Sequence, residues 1–129
     1  MAASKLTVTL RTRISNKDIH YAEGLASGSK IMELFGDAAT EILIRHDGEE
    51  GLFRAYEEVE FLAPVYAGDF IEVHATLVGE GNSSRTIDFE AVKIVEASRD
   101  PKHPTHATVL KEPILVAQAM GTCVVKKKH

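Results

Sequence analysis

The sequence predicts an α+β protein in which one long helix packs against an antiparallel sheet of about five strands. Three observations support this fold class. One stretch, residues 27–48, has apolar residues at the three- and four-residue spacing of a long amphipathic helix. Several other stretches alternate apolar and polar residues between turn residues, which is typical of strands. The order along the chain is one strand, the helix and then four strands.

The helix is expected to begin at Ser27 or Ser29 and to end at Gly48. A serine can accept hydrogen bonds from the free N–H groups of the first turn, and glycine is preferred just after the last turn. The apolar stripe consists of Ile31, Leu34, Phe35, Ala38 and Ile42. Asp37 and Glu41 fall on one edge of this stripe, one turn apart, so both carboxylates are expected at a boundary between buried and wet surroundings.

The strands are expected over residues 6–14, 52–62, 70–78, 84–95 and 114–125. In the second of them Phe53, Ala55, Val59 and Phe61 share the inward phase. Glu57 shares that phase too, and a bulge beside Glu58 that shifts the register is the favoured explanation.

Residues 97–113 contain three prolines and several charged side chains, and are expected to form an exposed loop. The last strand is apolar in both phases, which predicts burial on both faces. Because one helix covers only part of one sheet face, a partner subunit is expected to cover the rest.

Composition predicts a single domain over residues 1–129, because two domains from 129 residues would each be too small to bury a core. The net charge of −4 with scattered basic residues argues against a nucleic-acid surface. The single cysteine, Cys123, lies in an apolar run, is interpreted as a packing residue and favours a reducing cytoplasm. No signal peptide or membrane-spanning run is predicted, so no membrane partner is expected.

Five segments in order resemble one family: DIHYAEGLASG, LFGDAATEILI, FLAPVYAGDFIE, GNSSR and GTCVVKK. Together they are similar to the 3-aminobutyryl-CoA ammonia-lyases of lysine fermentation, relatives of the β-alanyl-CoA ammonia-lyases within the hotdog-fold acyl-CoA thioesterase superfamily. The resemblance covers nearly the whole chain. It implies a hotdog fold, with a sheet wrapped around a long helix, an acyl-CoA substrate and no separate cofactor. It also implies a homodimer formed by sheet extension, or a larger homo-oligomer such as a tetramer or hexamer.

The implied reaction removes ammonia from a 3-aminoacyl thioester and needs a donor group, a base and a site for the ammonium. N–H groups near the helix start are expected to stabilise the developing enolate oxygen, because Gly24 and Gly28 allow close approach there. Tyr21, beside them, is assigned as a substrate-binding residue. Asp37 or Glu41 fits the base, because desolvation at the edge of an apolar face raises a carboxyl pKa, and Asp37 is preferred.

The ammonium and its proton are assigned to Asp18, His20 or the second helix carboxylate. Ser83, Ser84 and Arg85 are predicted to contact the phosphates of coenzyme A. Arg99, Lys102 and His103 could contact the same nucleotide end, although a solvated loop is favoured there. No metal site is predicted, because the spacing of Asp18 and His20 is the only weak ligand pattern.

Simpler interpretations remain open for each residue. The helix carboxylates could be solvated, His20 could be an ordinary loop histidine, and Arg85 could be a surface residue of a hairpin. An acyl-CoA thioesterase, with Asp37 activating water, is the alternative function. A non-catalytic acyl-CoA-binding hotdog protein is the third, because the fold alone does not decide the chemistry.

Overall fold

The computed structural model describes residues 5–126, which form one long helix on one five-stranded antiparallel sheet. The elements are β1 (Thr7–Arg13), α1 (Gly28–Asp47), β2 (Leu52–Phe61), β3 (Phe70–Glu80), β4 (Ser84–Ala97) and β5 (Ala107–Val124). The strand order is β1-β3-β4-β5-β2. The predicted fold class and element order are confirmed. Lys127, the last residue of the GTCVVKK segment, lies outside the described residues.

Both predicted ends of α1 are confirmed. The Ser27 side chain caps the helix by accepting a hydrogen bond from the Ser29 N–H at 3.1 Å. Gly48 ends it with φ 74°, and its N–H donates to the Ile44 carbonyl at 2.9 Å. Glycine adopts this left-handed conformation without the steric cost that other residues meet.

The core lies between α1 and the sheet and is centred on stacked aromatic rings. The Phe35 ring of α1 stacks on Phe89 of β4, with ring centroids 4.9 Å apart. Phe53 lies 5.9 Å from Phe89 and extends the stack to Tyr56 at 4.0 Å. The Phe53 ring lies against the backbone of Gly121, where a Cβ atom would collide with it. The glycine in β5 therefore lets β2 place its aromatic side chains on the core.

Strand β2 contains the predicted bulge. Its register with β5 shifts between Glu57 and Glu60, and Glu58 has φ 53°. A second shift, after Phe53, was not predicted, and it turns Tyr56 inward in place of Ala55, which is exposed. The Tyr56 hydroxyl donates to a carbonyl of α1, that of Met32, at 3.0 Å. The predicted inward position of Ala55 is therefore wrong.

The predicted loop over residues 97–113 is wrong in its second half. Residues 107–113 belong to β5 and continue the ladder with β4, where Val95 pairs with Val109 and Ala97 with Ala107. Pro113 is tolerated because it lies where the β4–β5 register shifts, between the partners of Lys93 and Val95, so no regular ladder bond is lost. Residues 99–106 are exposed, as expected.

The predicted burial of β5 on both faces is also wrong within one chain. From residue 116 to residue 124 the strand alternates, with few exceptions, between buried and half-buried residues. The helix covers one face, and the other face is covered only in part by the residues of this chain.

Candidate active site

A cavity of about 430 Å³ opens at the start of α1. Its walls come from the loop before the helix, the first helical turns and the segment that follows β2. The lining is mainly apolar and includes Leu25, Ile31, Phe61, Leu62 and Val65. The positive end of the helix dipole therefore faces a space suited to an acyl chain.

Gly28 is the first residue of α1 and lines this cavity. A Cβ atom at this position would lie 3.0 Å from two ring carbons of Phe61, which is closer than an ordinary contact. Phe61 is itself half-exposed at the cavity mouth. The absence of a side chain at Gly28 keeps the helix start accessible, and its role in substrate binding stays a prediction.

The two loops that form the cavity walls are bonded to each other. The Ala26 N–H donates to the Val65 carbonyl at 2.8 Å, and the Ala67 N–H donates to the Gly24 carbonyl at 3.1 Å. Gly24 has φ 79°, a conformation that glycine adopts freely. Gly24 therefore shapes the loop before the helix rather than lining the cavity.

Asp69 anchors the second loop, and sequence reasoning missed it. Its fully buried carboxylate accepts hydrogen bonds from the N–H groups of Tyr66 and Ala97, each at 2.8 Å. Lys93, also buried, places its Nζ atom 3.2 Å from the same carboxylate. The sequence held one signal, because Lys93 occupies the inward phase of β4 after Phe89 and Ala91. A lysine in that phase needs a buried acidic partner.

Asp18 and His20 have structural contacts outside the cavity lining. The Asp18 carboxylate accepts the Ser15 N–H at 2.9 Å and lies 3.6 Å from the Lys30 ammonium, so it fixes the turn before the helix. His20 is exposed and packs edge-on against Tyr21, with ring centroids 4.7 Å apart. Tyr21 lines the cavity mouth, in agreement with its predicted position.

Asp37 and Glu41 lie farther along α1. Asp37 is exposed, and nine residues at a rise of about 1.5 Å place it about 14 Å along the helix from Gly28. Glu41 is partly exposed and accepts a hydrogen bond from Arg45 at 2.8 Å. One chain alone therefore neither brings these carboxylates to the cavity nor gives Asp37 the burial that the sequence prediction assumed.

Arg85 joins the β3–β4 hairpin to the end of the helix. Its guanidinium is buried and binds Asp47, at the end of α1, through two hydrogen bonds of 2.9 and 2.8 Å. It also donates to the carbonyls of Gly81 and Ser84. These bonds to Asp47 raise the pKa of the Arg85 guanidinium. The side chain therefore holds the β3–β4 hairpin to the helix, and its predicted contact with the phosphates of coenzyme A stays a prediction.

Ser83 and Ser84 belong to the same hairpin, which lies at the end of α1. This end is about 28 Å along the helix from Gly28 and the cavity of the same chain. The Ser83 carbonyl accepts the Val125 N–H at 2.9 Å. Cys123 is buried nearby, and burial raises the pKa of its thiol to about 11. An unreactive packing cysteine is what the sequence predicted.

A long helix on a five-stranded antiparallel sheet, with an apolar cavity at the helix start, is the arrangement of a hotdog-fold protein. Residues 23–96 match the family model described as the thioesterase superfamily. A 3-aminobutyryl-CoA ammonia lyase from Acetoanaerobium sticklandii is 50% identical over 118 residues, which cover 92% of this chain and 93% of that protein.

Two solved structures extend the comparison. The beta-alanyl-CoA:ammonia lyase from Clostridium propionicum is 35% identical with a TM-score of 0.89, covering 95% of this chain and 87% of that chain. A hexameric hotdog fold thioesterase of Campylobacter jejuni shares the fold at 22% identity and a TM-score of 0.72, covering 89% and 79%. The chain belongs to the thioesterase superfamily and, within it, to the family of these CoA-thioester ammonia lyases. Among the described residues, no helix is long and apolar enough to cross a membrane.

Proposed function

We propose that this protein is a carbon–nitrogen lyase that converts 3-aminobutyryl-CoA to crotonyl-CoA and ammonia, and catalyses the reverse addition. The observation that carries this proposal is the 50% identity to a 3-aminobutyryl-CoA ammonia lyase over nearly the full length of both chains. The buried, unpaired Cys123 is consistent with a reducing cytoplasm, and lysine fermentation is the proposed context.

The thioester carbonyl is placed at the start of α1, with the short acyl chain in the apolar cavity. Negative charge develops on this oxygen when the neighbouring carbon loses a proton, and the helix start near Gly28 stabilises it. Among the described residues that line the cavity, none carries a carboxylate. The base must therefore come from elsewhere.

A second copy of the chain supplies this base in our proposal. Strand β2 is an edge strand, and Tyr21, Phe61 and Leu62 expose 55%, 55% and 48% of their surface around the cavity mouth. Pairing of two chains would cover these apolar side chains and bring the Asp37 carboxylate of one chain to the cavity of the other. A homodimer is thus the smallest functional unit, and larger homo-oligomers such as hexamers are assemblies of it.

One carboxylate is enough to carry out both proton transfers of the reaction. Asp37 takes the proton from the carbon beside the thioester, the bond between the neighbouring carbon and the substrate's protonated amino group breaks, and ammonia leaves as the double bond forms. Asp37 then returns its proton, so the nitrogen departs as ammonium. Glu41, Asp18 and His20 are the candidates for holding the ammonium, and His20 is the one in contact with the cavity wall through Tyr21. No cofactor is required, because coenzyme A is part of the substrate.

The test uses purified protein, crotonyl-CoA and ammonium, with the enoyl absorbance and free thiol followed together. A lyase lowers the absorbance without releasing thiol. Release of thiol would instead identify an acyl-CoA thioesterase, and the absence of both changes would indicate a non-catalytic binding protein. Omitting ammonium is the control for addition of water to the same double bond.

A further inference from the structure

The cavity at the start of α1 contains two side chains that can donate a hydrogen bond. Among the described residues that line it, only Tyr21 and Ser27 carry a donor group, and both groups are neutral hydroxyls. Tyr21 is exposed at the mouth, whereas Ser27 is half-buried and immediately precedes Gly28, the first residue of the helix. The Ser27 hydroxyl is therefore the donor side chain that lies beside the N–H groups of the helix start.

The Ser27 hydroxyl belongs to a short chain of hydrogen bonds. Its Oγ atom accepts the Ser29 N–H at 3.1 Å and lies 2.6 Å from the Oγ atom of Ser29. A hydroxyl group has two acceptor positions and one donor position. When Ser29 donates its hydroxyl hydrogen to Ser27, both acceptor positions of Ser27 are filled, and its own O–H group is left to donate to a ligand in the cavity. Ser29 is exposed, so water can hydrogen-bond its oxygen in turn.

A ligand oxygen that gains negative charge favours this direction of the chain. In the opposite direction Ser27 donates to Ser29 and offers the cavity no hydrogen. A hydrogen bond to a charged oxygen is roughly twice as strong as a neutral one, and the bonds of a chain polarise one another in surroundings of low polarity. The cavity lining carries no charged side chain that would compete for the oxygen. The Ser27 hydroxyl therefore binds an enolate oxygen more strongly than the uncharged carbonyl oxygen of a bound thioester.

We propose that Ser27 is a catalytic residue whose hydroxyl donates a hydrogen bond to the thioester oxygen, and that Ser29 is a positioning residue that orients this hydroxyl. The inference rests on the proposed function, which places that oxygen at the start of α1. The oxygen gains negative charge as the base takes the proton from the neighbouring carbon. It loses the charge as the carbon–nitrogen bond breaks and its electron pair leaves on nitrogen. Ser27 keeps its own proton throughout, so its contribution adds to that of the backbone N–H groups and is largest in the transition state.

Two variants of Ser27 separate donation to the substrate from capping of the helix. Ser27→Gly removes the hydroxyl but keeps a residue that begins a helix at a cost of only a few tenths of a kcal/mol. We expect its kcat with crotonyl-CoA and ammonium to fall by about 10²-fold, with little change in KM. Ser27→Asp caps the helix as well as serine does, but an ionised aspartate cannot donate and repels negative charge. Its kcat should fall at least as far, at an unchanged melting temperature.

Ser29→Ala tests the orienting bond and should lower kcat by about two- to tenfold, the size of one neutral hydrogen bond. Ser98→Gly is the matched control. Ser98 is also half-buried, and its hydroxyl accepts the Asp100 N–H two residues on at 3.0 Å, but it lies outside the lining of this cavity. It should leave kcat and KM unchanged. Wild-type kcat in Ser27→Asp would show that Ser27 only caps the helix, and it would overturn the inference.

A wild type that does not add ammonium to crotonyl-CoA would contradict the proposed function, and Ser27 is then tested on enolate formation alone. Butyryl-CoA has no amino group to lose, so exchange of its C2 hydrogens in deuterium oxide, followed by NMR, measures this step by itself. Slower exchange by Ser27→Gly, at unchanged binding of butyryl-CoA, would support the role of Ser27. Equal rates for the two proteins, or no exchange by the wild type, would overturn it.

Discussion

The two ends of α1 are built differently. At the first end, Gly28 opens onto an apolar cavity, and the loops beside it are held by backbone hydrogen bonds and by the buried Asp69 carboxylate. At the other end, Asp47 and Arg85 form a buried ion pair in which the guanidinium also binds two carbonyl groups. The first end places an apolar cavity beside the positive end of the helix dipole, while the other end is tied to the β3–β4 hairpin by a buried ion pair. In the proposed function the start of the helix serves chemistry, and its end serves stability.

The Asp37→Asn variant tests whether catalysis involves the middle of α1 as well as its start. It should have the largest effect on kcat. Asp37 lies near the middle of α1 and is exposed in one chain. If a second chain brings it to the cavity, kcat should fall by about 10²- to 10⁴-fold, the usual contribution of a general base. The melting temperature should hardly change, because the single chain gives this side chain no buried contact.

Glu33→Gln is the control for Asp37→Asn, since Glu33 is an exposed acid of the same helix. Its kcat should equal that of the wild type. Full activity of Asp37→Asn would remove this residue from the mechanism and confine the chemistry to the helix start.

The Arg85→Met variant tests whether the buried ion pair at the end of α1 stabilises the fold. The side chains of Arg85 and Asp47 are 7% and 5% exposed, so the change removes the guanidinium group from a buried carboxylate. We expect the free energy of unfolding to fall by about 3–5 kcal/mol, as measured by urea denaturation. The kcat/KM of the folded fraction should be unchanged.

Arg11→Met is the matched control, because its ion pair with Glu72 is exposed and worth less than about 1 kcal/mol. If Arg85→Met does not fold, the double variant with Asp47→Asn removes the buried charge and should recover part of the stability. A loss of activity at unchanged stability would contradict the division between the two ends.

The helix could be predicted almost to the residue, because its signals are local. Ser27 and Gly48 act on N–H and C=O groups within a few residues, and the apolar spacing is a property of one turn and the next. The bulge at Glu58 could be predicted equally well, because a register shift is one of the few ways to keep a charged side chain in an inward phase out of the core.

The partners of buried charges were not predictable in the same way. Arg85 binds a residue 38 positions away, and Asp69 accepts a hydrogen bond from Ala97, 28 positions away. Nothing local distinguishes such an arginine from one on a surface hairpin. In our proposal the position of Asp37 relative to the cavity depends on a second chain. The part of β5 before Pro113 depends on an irregular register with β4.

The Gly28→Ala variant tests whether open space at the helix start matters. The new methyl group would lie 3.0 Å from the Phe61 ring and would displace it into the cavity mouth. Because a misplacement of about 1 Å can cost about 10²-fold, we expect kcat/KM to fall by up to about 10²-fold. Kinetics with crotonyl-CoA and ammonium measure this loss.

Gly36→Ala is the matched control for Gly28→Ala. A Cβ atom there would meet only the Tyr56 hydroxyl, at an ordinary distance of 3.9 Å. This change should keep kcat/KM and raise the free energy of unfolding by up to about 1 kcal/mol, because alanine favours a helix more than glycine does. Equal kinetics for the two variants would show that the space beside Gly28 is not used.

The smallest effect is expected at the exposed margin of the stabilising end, where Glu80 lies 2.7 Å from His46. The hydrogen bond from His46 is the main cause that lowers the pKa of Glu80 below its ordinary value of 4.5. A depressed folded-state pKa gives stability that is present above pH 4.5 and is lost as the pH falls through the folded-state value. The free energies of unfolding of the wild type and Glu80→Gln, measured by urea denaturation, should therefore converge as the pH is lowered from 4.5.

The His46→Gln variant removes the main cause of the lowered pKa, so its free energy of unfolding should depend less on acid pH than that of the wild type. A difference between wild type and Glu80→Gln that persists unchanged at the lowest pH would mean that packing, and not this charge, connects Glu80 to the helix end.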